Sequence, residues 1–195
     1  LPYLLGDDQE DDEEEARRTA DLEDLFPTLR IRPPVALIGC STARPSGPHL
    51  ATGTLGAAQL ARLEDLLRRL AGQNLCRVLL LHHPPVAAAV SWRRGLTDAP
   101  ALRALIARFG VELVLFGHAH RTLDATLPGP NGPVPVMGAP SVTARHGDDA
   151  HRSCWLRYTL RRTGTGWAII QQERRYAADR NGYVDGPQRE LAPRR

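Results

Sequence analysis

Three short apolar runs, at residues 35–39, 77–81 and 111–116, are the feature that most constrains the fold of this chain. Short continuous apolar runs are typical of strands that are buried on both faces. Between the first two runs, leucines at helical spacing predict an amphipathic helix over residues 56–70. A second helix is predicted to begin at an N-cap, Thr97 or Asp98, and to end at Gly110. The alternation of strand and helix predicts parallel pairing and an α/β fold.

The pattern changes after the third run. Antiparallel strands are predicted at residues 134–137, 153–160 and 167–176. Two glycines at 161–166 favour a tight turn between the last two strands. We therefore expect a mixed fold, in which a parallel α/β unit is followed by antiparallel strands.

The chain is predicted to divide into three segments. Residues 1–30 form an acidic, partly helical segment, in which eight of the nine residues at 7–15 are Asp or Glu. Residues 31–176 form the folded domain, and residues 177–195 form a basic tail that we expect to be loosely ordered. Because the first residue is Leu1 and not Met, we expect the chain to start partway through a longer protein.

Composition excludes several classes of protein. With 195 residues and 42% apolar side chains, one domain with a sizeable core is expected. No run approaches the roughly 20 apolar residues of a membrane span, and no signal peptide is visible. The net charge is +3, and the absence of arginine runs interleaved with aromatics argues against a nucleic-acid surface. Three cysteines without CxxC spacing predict reduced thiols and a cytoplasmic location.

Four of the seven histidines follow two of the predicted strands directly. His82 and His83 begin the sequence HHPP after the second strand, and His118 and His120 lie in the sequence GHAH after the third. In open α/β sheets, ligands gather beyond the carboxyl ends of the strands, and a βαβ unit makes two such ends neighbours. Neutral imidazole is a ligand for Zn, Fe, Mn and Ni. The histidines therefore predict a metal site at this edge.

The local sequence also suits ligation. If the GHAH segment is extended, His118 and His120 are two residues apart and their rings point to the same side. Gly117 leaves room for the backbone to turn close to an ion. Pro84 and Pro85 stiffen the exit from the strand.

The chain resembles the calcineurin-like metallophosphoesterase superfamily, especially its bacterial cyclic-nucleotide phosphodiesterase type. The resemblance rests on HHPP at 82–85, on GHAH at 117–120 and on the approach to the first helix from Gly53, and it covers residues 26–176. It implies the C-terminal half of a four-layer α/β/β/α sandwich, in which mixed sheets are flanked by helices. It also implies a phosphate-ester substrate and two divalent metal ions, Mn, Fe or Zn, in the complete protein.

The resemblance implies roles for particular residues. His82 and His118 would ligate one metal ion and His120 the other. His83 would lie behind the ligands or face phosphate. Apart from the resemblance, Arg93 or Arg94 on the loop after HHPP is a candidate phosphate contact, because a planar guanidinium matches phosphate oxygens; the alternative is a solvated loop charge. Hydrolysis would proceed by a metal-bridging hydroxide, on a phosphodiester or a phosphomonoester.

The family's earlier motifs, DxH, GDxxD and GNH followed by an acid, precede its HHPP segment, and none of them occurs before His82 in this chain. The expectation is therefore a metallophosphoesterase that is inactive alone for want of those ligands. The alternative is a degenerate module that binds metal or nucleotide without catalysis. The sequence leaves the substrate, the metal and the oligomeric state open.

Overall fold

We describe the fold from a computed structural model, which describes residues 25–86, 89–144, 151–164 and 166–191. Two helices are α1 (Ala57–Leu70) and α2 (Ala99–Phe109). The strands are β1 (Thr28–Arg32), β2 (Val35–Gly39), β3 (Cys76–Leu80), β4 (Leu113–Phe116), β5 (Leu123–Leu127), β6 (Val134–Gly138), β7 (Cys154–Arg162), β8 (Trp167–Ala177) and β9 (Gly182–Leu191). Short 3-10 turns cover Trp92–Arg94 and Ala178–Arg180.

The first sheet has six strands in the order β1-β2-β3-β4-β6-β5. Strands β2, β3, β4 and β6 pair in parallel, while β1 and β5 pair antiparallel at the two edges. The parallel centre is the strand–helix–strand unit that the apolar runs predicted. Strand β6 was predicted as antiparallel, and it is so only toward β5.

The two helices cover one face of this sheet. Helix α1 buries a leucine stripe, and α2 buries Leu102 and Ile106 against the same core. Gly110 ends α2 at a φ of 71°, a left-handed conformation that glycine adopts without strain. Asp98 precedes α2 but makes no side-chain cap to it. Its carboxylate instead accepts hydrogen bonds from Thr54 Oγ1 and from the main-chain N–H groups of Leu55 and Gly56, at 2.8–2.9 Å.

The second sheet, β7-β8-β9, lies against the other face of the first. Cys76, Val78 and Leu113 of the first sheet form one core with Trp167 and Ile169 of the second. The described residues therefore form a helix layer and two sheets, three of the four layers that the family resemblance implies. The predicted α/β class with mixed, helix-flanked sheets is confirmed.

Several elements differ from the sequence expectation. Strands β1 and β5 were not predicted. The tail expected over 177–195 needs correction, because Gly182–Leu191 pair with β8 as β9 and bury Leu191. Gly186 and Pro187 concealed this strand, although an edge strand tolerates proline. The acidic run at 7–15 and the helix expected near residue 16 lie outside the described residues.

The three cysteines are buried and form no disulfide with one another. Among the described helices, neither is both long and apolar enough to cross a membrane.

Candidate metal centre

The carboxyl ends of β3 and β4 are neighbours, as the strand–helix–strand pattern predicts. The ladder continues past the last strand residues, since Leu81 N donates to Leu115 O at 2.9 Å and Gly117 N donates to His82 O at 3.1 Å. This pairing brings His118 Nδ1 to 3.1 Å from His82 Nε2, across 36 residues of sequence. Two imidazoles from the ends of different strands therefore lie in contact.

Three histidines form the candidate centre. One ring nitrogen from each of His82, His83 and His118 lies within 4.8 Å of the others. Ring centroids are 4.9 Å apart for His82–His118 and 4.3 Å apart for His83–His118. Among the residues that the structure describes, no Asp, Glu or Cys joins this group. The donor set is therefore all imidazole, which suits borderline transition metals better than Mg or Ca.

His118 is the histidine whose surroundings point most directly to a cation. Its Nε2 is buried and has no hydrogen-bond partner. Burial, together with the nearby His83, His82, Arg94 and His120, lowers its pKa to about 4. A neutral ring with an unpartnered buried nitrogen is what a metal ligand offers before the ion binds.

His120 lies apart from these three. The GHAH segment is not extended, because His118 and His120 both have positive φ, 61° and 51°, and Ala119 N bonds to Gly117 O at 2.6 Å. The prediction that the His118 and His120 rings point to the same side assumed an extended segment, and that assumption was wrong. The His120 ring is exposed and stands outside the three-histidine group.

His83 is buried at 5% exposure and both of its ring nitrogens are engaged. Nδ1 lies 2.8 Å from Thr42 Oγ1, and Nε2 lies 3.2 Å from the carbonyl oxygen of Ala51. Burial lowers its pKa, with His82 adding to that effect and the Ala51 bond opposing it. To ligate an ion, His83 would have to release either the Thr42 hydroxyl at Nδ1 or the Ala51 carbonyl at Nε2.

The two candidate phosphate-binding arginines point in different directions. Arg94 Nη2 donates to the carbonyl oxygen of His118 at 3.1 Å, so its guanidinium lies beside the histidines. The Arg93 guanidinium instead lies 5.2 Å from the centroid of the Trp92 ring. Of the two, Arg94 is the one that a phosphate at the candidate centre could reach.

Sequence reasoning missed three residues that shape this edge: Thr42, Ala51 and Gly53. A Cβ on Gly53 would lie 2.2 Å from His83 Nδ1, so the loop can approach His83 only because residue 53 has no side chain. None of the three had a local signal, since each acts on His83 from 30 to 41 residues away. The family resemblance did include Gly53, but as part of the approach to α1.

The residues present fit one metal ion better than two. His82 and His118 offer two imidazoles with one unpartnered nitrogen. A dinuclear centre needs a ligand that bridges both ions, and no carboxylate among the described residues lies in the group. The described residues could therefore hold one of the two ions of a two-metal site.

Comparison with known proteins supports the family resemblance. No family model matches the chain. A probable cyclic nucleotide phosphodiesterase of Synechococcus sp. (strain WH7803) is 32% identical over 118 residues, which cover 57% of this chain and 44% of that relative. The chain thus spans less than half the length of this curated relative. The resemblance drawn from HHPP and GHAH is confirmed.

Two solved structures are also similar, at low scores. A dimetal phosphatase from Danio rerio is 14% identical, with a TM-score of 0.42, over 63% of this chain and 36% of that one. A double mutant of Vps29 from Entamoeba histolytica is 13% identical, with a TM-score of 0.37, over 88% of this chain and 89% of that one. Such values are too low to transfer chemistry to this chain.

Proposed function

We propose, from the resemblance of this chain to the calcineurin-like metallophosphoesterase superfamily, that it carries the histidine half of a metal-dependent phosphoesterase site. His82 and His118 would hold a divalent ion, Mn, Fe or Zn. The observation that carries this proposal is the contact between the two rings, in which His118 Nδ1 lies 3.1 Å from His82 Nε2. His120, on the same turn as His118, would serve a second ion in the complete protein.

The substrate would be a small phosphate ester. When bound, such an ion lowers the pKa of water toward neutrality and neutralises phosphate charge. Arg94 would orient the phosphate, because a planar guanidinium matches two phosphate oxygens and this one already lies against the His118 main chain. The name of the Synechococcus relative makes a phosphodiester, cyclic nucleotides included, the first substrate class to test.

We also propose that this chain is inactive alone. A two-metal hydrolase needs ligands that bridge its ions and hold the attacking oxygen. The three-histidine group has no carboxylate among the described residues, and the chain spans 44% of its relative. The same observation favours a second candidate function, a module that binds metal or nucleotide without hydrolysis.

Metal stoichiometry and hydrolysis together test these proposals. Zn or Mn is titrated into the chain by calorimetry, and hydrolysis of bis(p-nitrophenyl) phosphate is followed on the same sample. We expect one ion per chain, lost in His82→Ala and in His118→Ala, and no turnover. His151→Ala is the matched control, because this exposed histidine lies outside the three-histidine group.

Each other outcome is informative. Two ions and measurable turnover would show that the chain is a complete enzyme and would remove the claim of inactivity. No binding of either metal, with folding confirmed by circular dichroism, would remove the metal site itself.

A further inference from the structure

We propose that Thr42 is a positioning residue, which holds His83 in one tautomer and so leaves His82 and His118 as the ligands of the ion. The inference rests on the proposed function and adds to it a residue that touches neither ion nor substrate. On this inference His83 does not bind the ion and instead packs against the residues that do.

Thr42 makes two hydrogen bonds to the same histidine. Its side chain is buried at 1% exposure just beyond the end of β2. The main-chain N–H of His83 donates to Thr42 Oγ1 at 3.2 Å, and the same oxygen lies 2.8 Å from His83 Nδ1. A hydroxyl has a single proton to donate. Because Oγ1 already accepts from the main chain, that proton is free to go to Nδ1.

The far side of the ring requires the same tautomer. His83 Nε2 lies 3.2 Å from the carbonyl oxygen of Ala51, and a carbonyl can only accept. Nε2 must then carry the proton, and Nδ1 must be the acceptor of the Thr42 hydroxyl. The Ala51 carbonyl thus places the proton on Nε2, and the Thr42 hydroxyl completes that arrangement by donating to Nδ1.

The loop that carries Ala51 is itself held in place. Thr54 N donates to Thr42 O at 3.1 Å, and Ala51 N donates to Arg93 O at 2.8 Å. Gly53 N donates to Gly95 O at 3.1 Å, and a side chain on Gly53 would collide with the His83 ring. The loop is therefore fixed between the end of β2 and the segment next to Arg94.

Fixing His83 inward determines where its neighbour points. His82 and His83 follow the end of β3 and face different surroundings, since His82 is exposed while His83 is buried. His82 Nε2 is thereby directed at His118 Nδ1, 3.1 Å away. The His83 ring, 4.3 Å from that of His118, forms the wall behind the pair.

The tautomer is measured directly by 15N NMR on the histidine-labelled full chain at pH 7. We expect His83 to show a protonated Nε2 and an acceptor Nδ1, with no change when Zn is added. A His83 with its proton on Nδ1, or one whose Nε2 signal shifts to a metal-bound value, would overturn the inference.

Variants of Thr42 test its effect on the ion. Thr42→Val keeps the shape but removes the hydroxyl, and we expect Zn affinity to fall by about 10–100-fold, as for other residues that orient metal ligands. Thr42→Ser restores the hydroxyl and should stay within about threefold of the parent. Thr97→Val is the matched control, because Thr97 Oγ1 holds the same loop through Gly53 O at 3.1 Å without contacting His83.

The failure of this inference is distinct from the failure of the proposed function. If the parent chain binds no Zn, the metal site fails, and Thr42 is judged by NMR alone. Thr42→Val should then give mixed His83 tautomers and move the His82 signals, whereas Thr97→Val should not. If Thr42→Val binds Zn like the parent and leaves the His83 tautomer intact, Thr42 has no positioning role.

Discussion

The two ends of strands β3 and β4 make opposite use of their polar side chains. At the amino end, the Arg77 guanidinium donates to both carboxylate oxygens of Glu112 and to Phe109 O, and the Arg77 main-chain N–H donates to the same carboxylate. At the carboxyl end, His82 and His118 contact each other, and a buried nitrogen of His118 has no partner. Both ends lie on the same pair of neighbouring strands.

The difference separates polar residues that stabilise the fold from polar residues that are available to bind a ligand. Arg77 and Glu112 are buried with their charges opposed and hydrogen-bonded, so nothing further is needed at that end. The histidine edge leaves a buried ring nitrogen without a hydrogen-bond partner, and an ion or water is one explanation for such a group. The comparison predicts that changes at the amino end alter stability, while changes at the carboxyl end alter binding.

The largest effect is expected from Glu112→Ala. Removing one partner leaves a buried, unpaired guanidinium, and we expect the free energy of unfolding to fall by about 3–5 kcal/mol. Denaturant unfolding followed by circular dichroism measures this change. The double variant Arg77→Met with Glu112→Leu should recover most of the loss, because it removes both charges. A loss below about 1 kcal/mol for Glu112→Ala would contradict the assignment of this end as structural.

The next effect concerns the histidine edge. At a Zn concentration of 100 times Kd, the parent chain should gain about 2.7 kcal/mol in free energy of unfolding, since the ion binds only the folded chain. His118→Ala should lose that gain while unfolding normally without metal. Thermal unfolding with and without Zn measures both. Equal stabilisation of the variant by Zn would place the ion elsewhere.

A smaller effect is expected from pH, and it tests whether the Cys40 thiol is buried in the folded chain. Cys40 lies one residue beyond β2, and burial raises the pKa of its thiol from 9.0 to about 12. The unfolded thiol ionises first as pH rises, so stability falls above pH 9, by about 1.4 kcal/mol at pH 10. Unfolding at pH 8 and pH 10 should show this loss in the parent and less of it in Cys40→Ala. Identical pH dependence in both would mean that Cys40 is accessible as a thiolate.

The smallest effect is expected from Arg94→Ala. The side chain is exposed, so stability should change by less than about 0.5 kcal/mol. Affinity of the Zn-loaded chain for inorganic phosphate should fall by about threefold, the scale of an exposed charge contact. Arg93→Ala is the control, because its guanidinium lies over Trp92. A greater loss in Arg93→Ala than in Arg94→Ala would reverse the assignment.

The parallel centre of the fold could be predicted from the sequence, and so could the meeting of His82 and His83 with His118. Apolar runs such as Val35–Gly39 are stable only between two layers, and parallel neighbours bring their carboxyl ends together. These are properties of pattern and topology. They hold whichever side chains complete the loops.

What the sequence did not predict depends on pairing and backbone conformation. Strand β1 is exposed at every residue, and it is a strand because it pairs with β2. Strand β9 contains Gly186 and Pro187, which favour a loop unless an edge position admits them. The left-handed conformation of His118 and His120 has no signal in residue type beyond a mild preference.

Thr42 illustrates the limit most clearly. It lies 41 residues before His83, and its hydroxyl meets the ring only after two strand ends and a loop are in place. No local periodicity connects the two residues. Such a contact becomes visible only in three dimensions.

The carboxylate of Asp98 gives the helix layer a mechanical property. It accepts hydrogen bonds from Thr54, Leu55 and Gly56, which lead into α1, while Asp98 itself leads into α2. The starts of both helices are therefore tied together by one carboxylate, and we expect a tilt of either helix to displace the start of the other. The same residues continue the loop behind His83, so the starts of the helices and this loop are joined through one set of hydrogen bonds. We therefore expect a displacement of α2 to alter the positions of the histidines at the candidate metal centre.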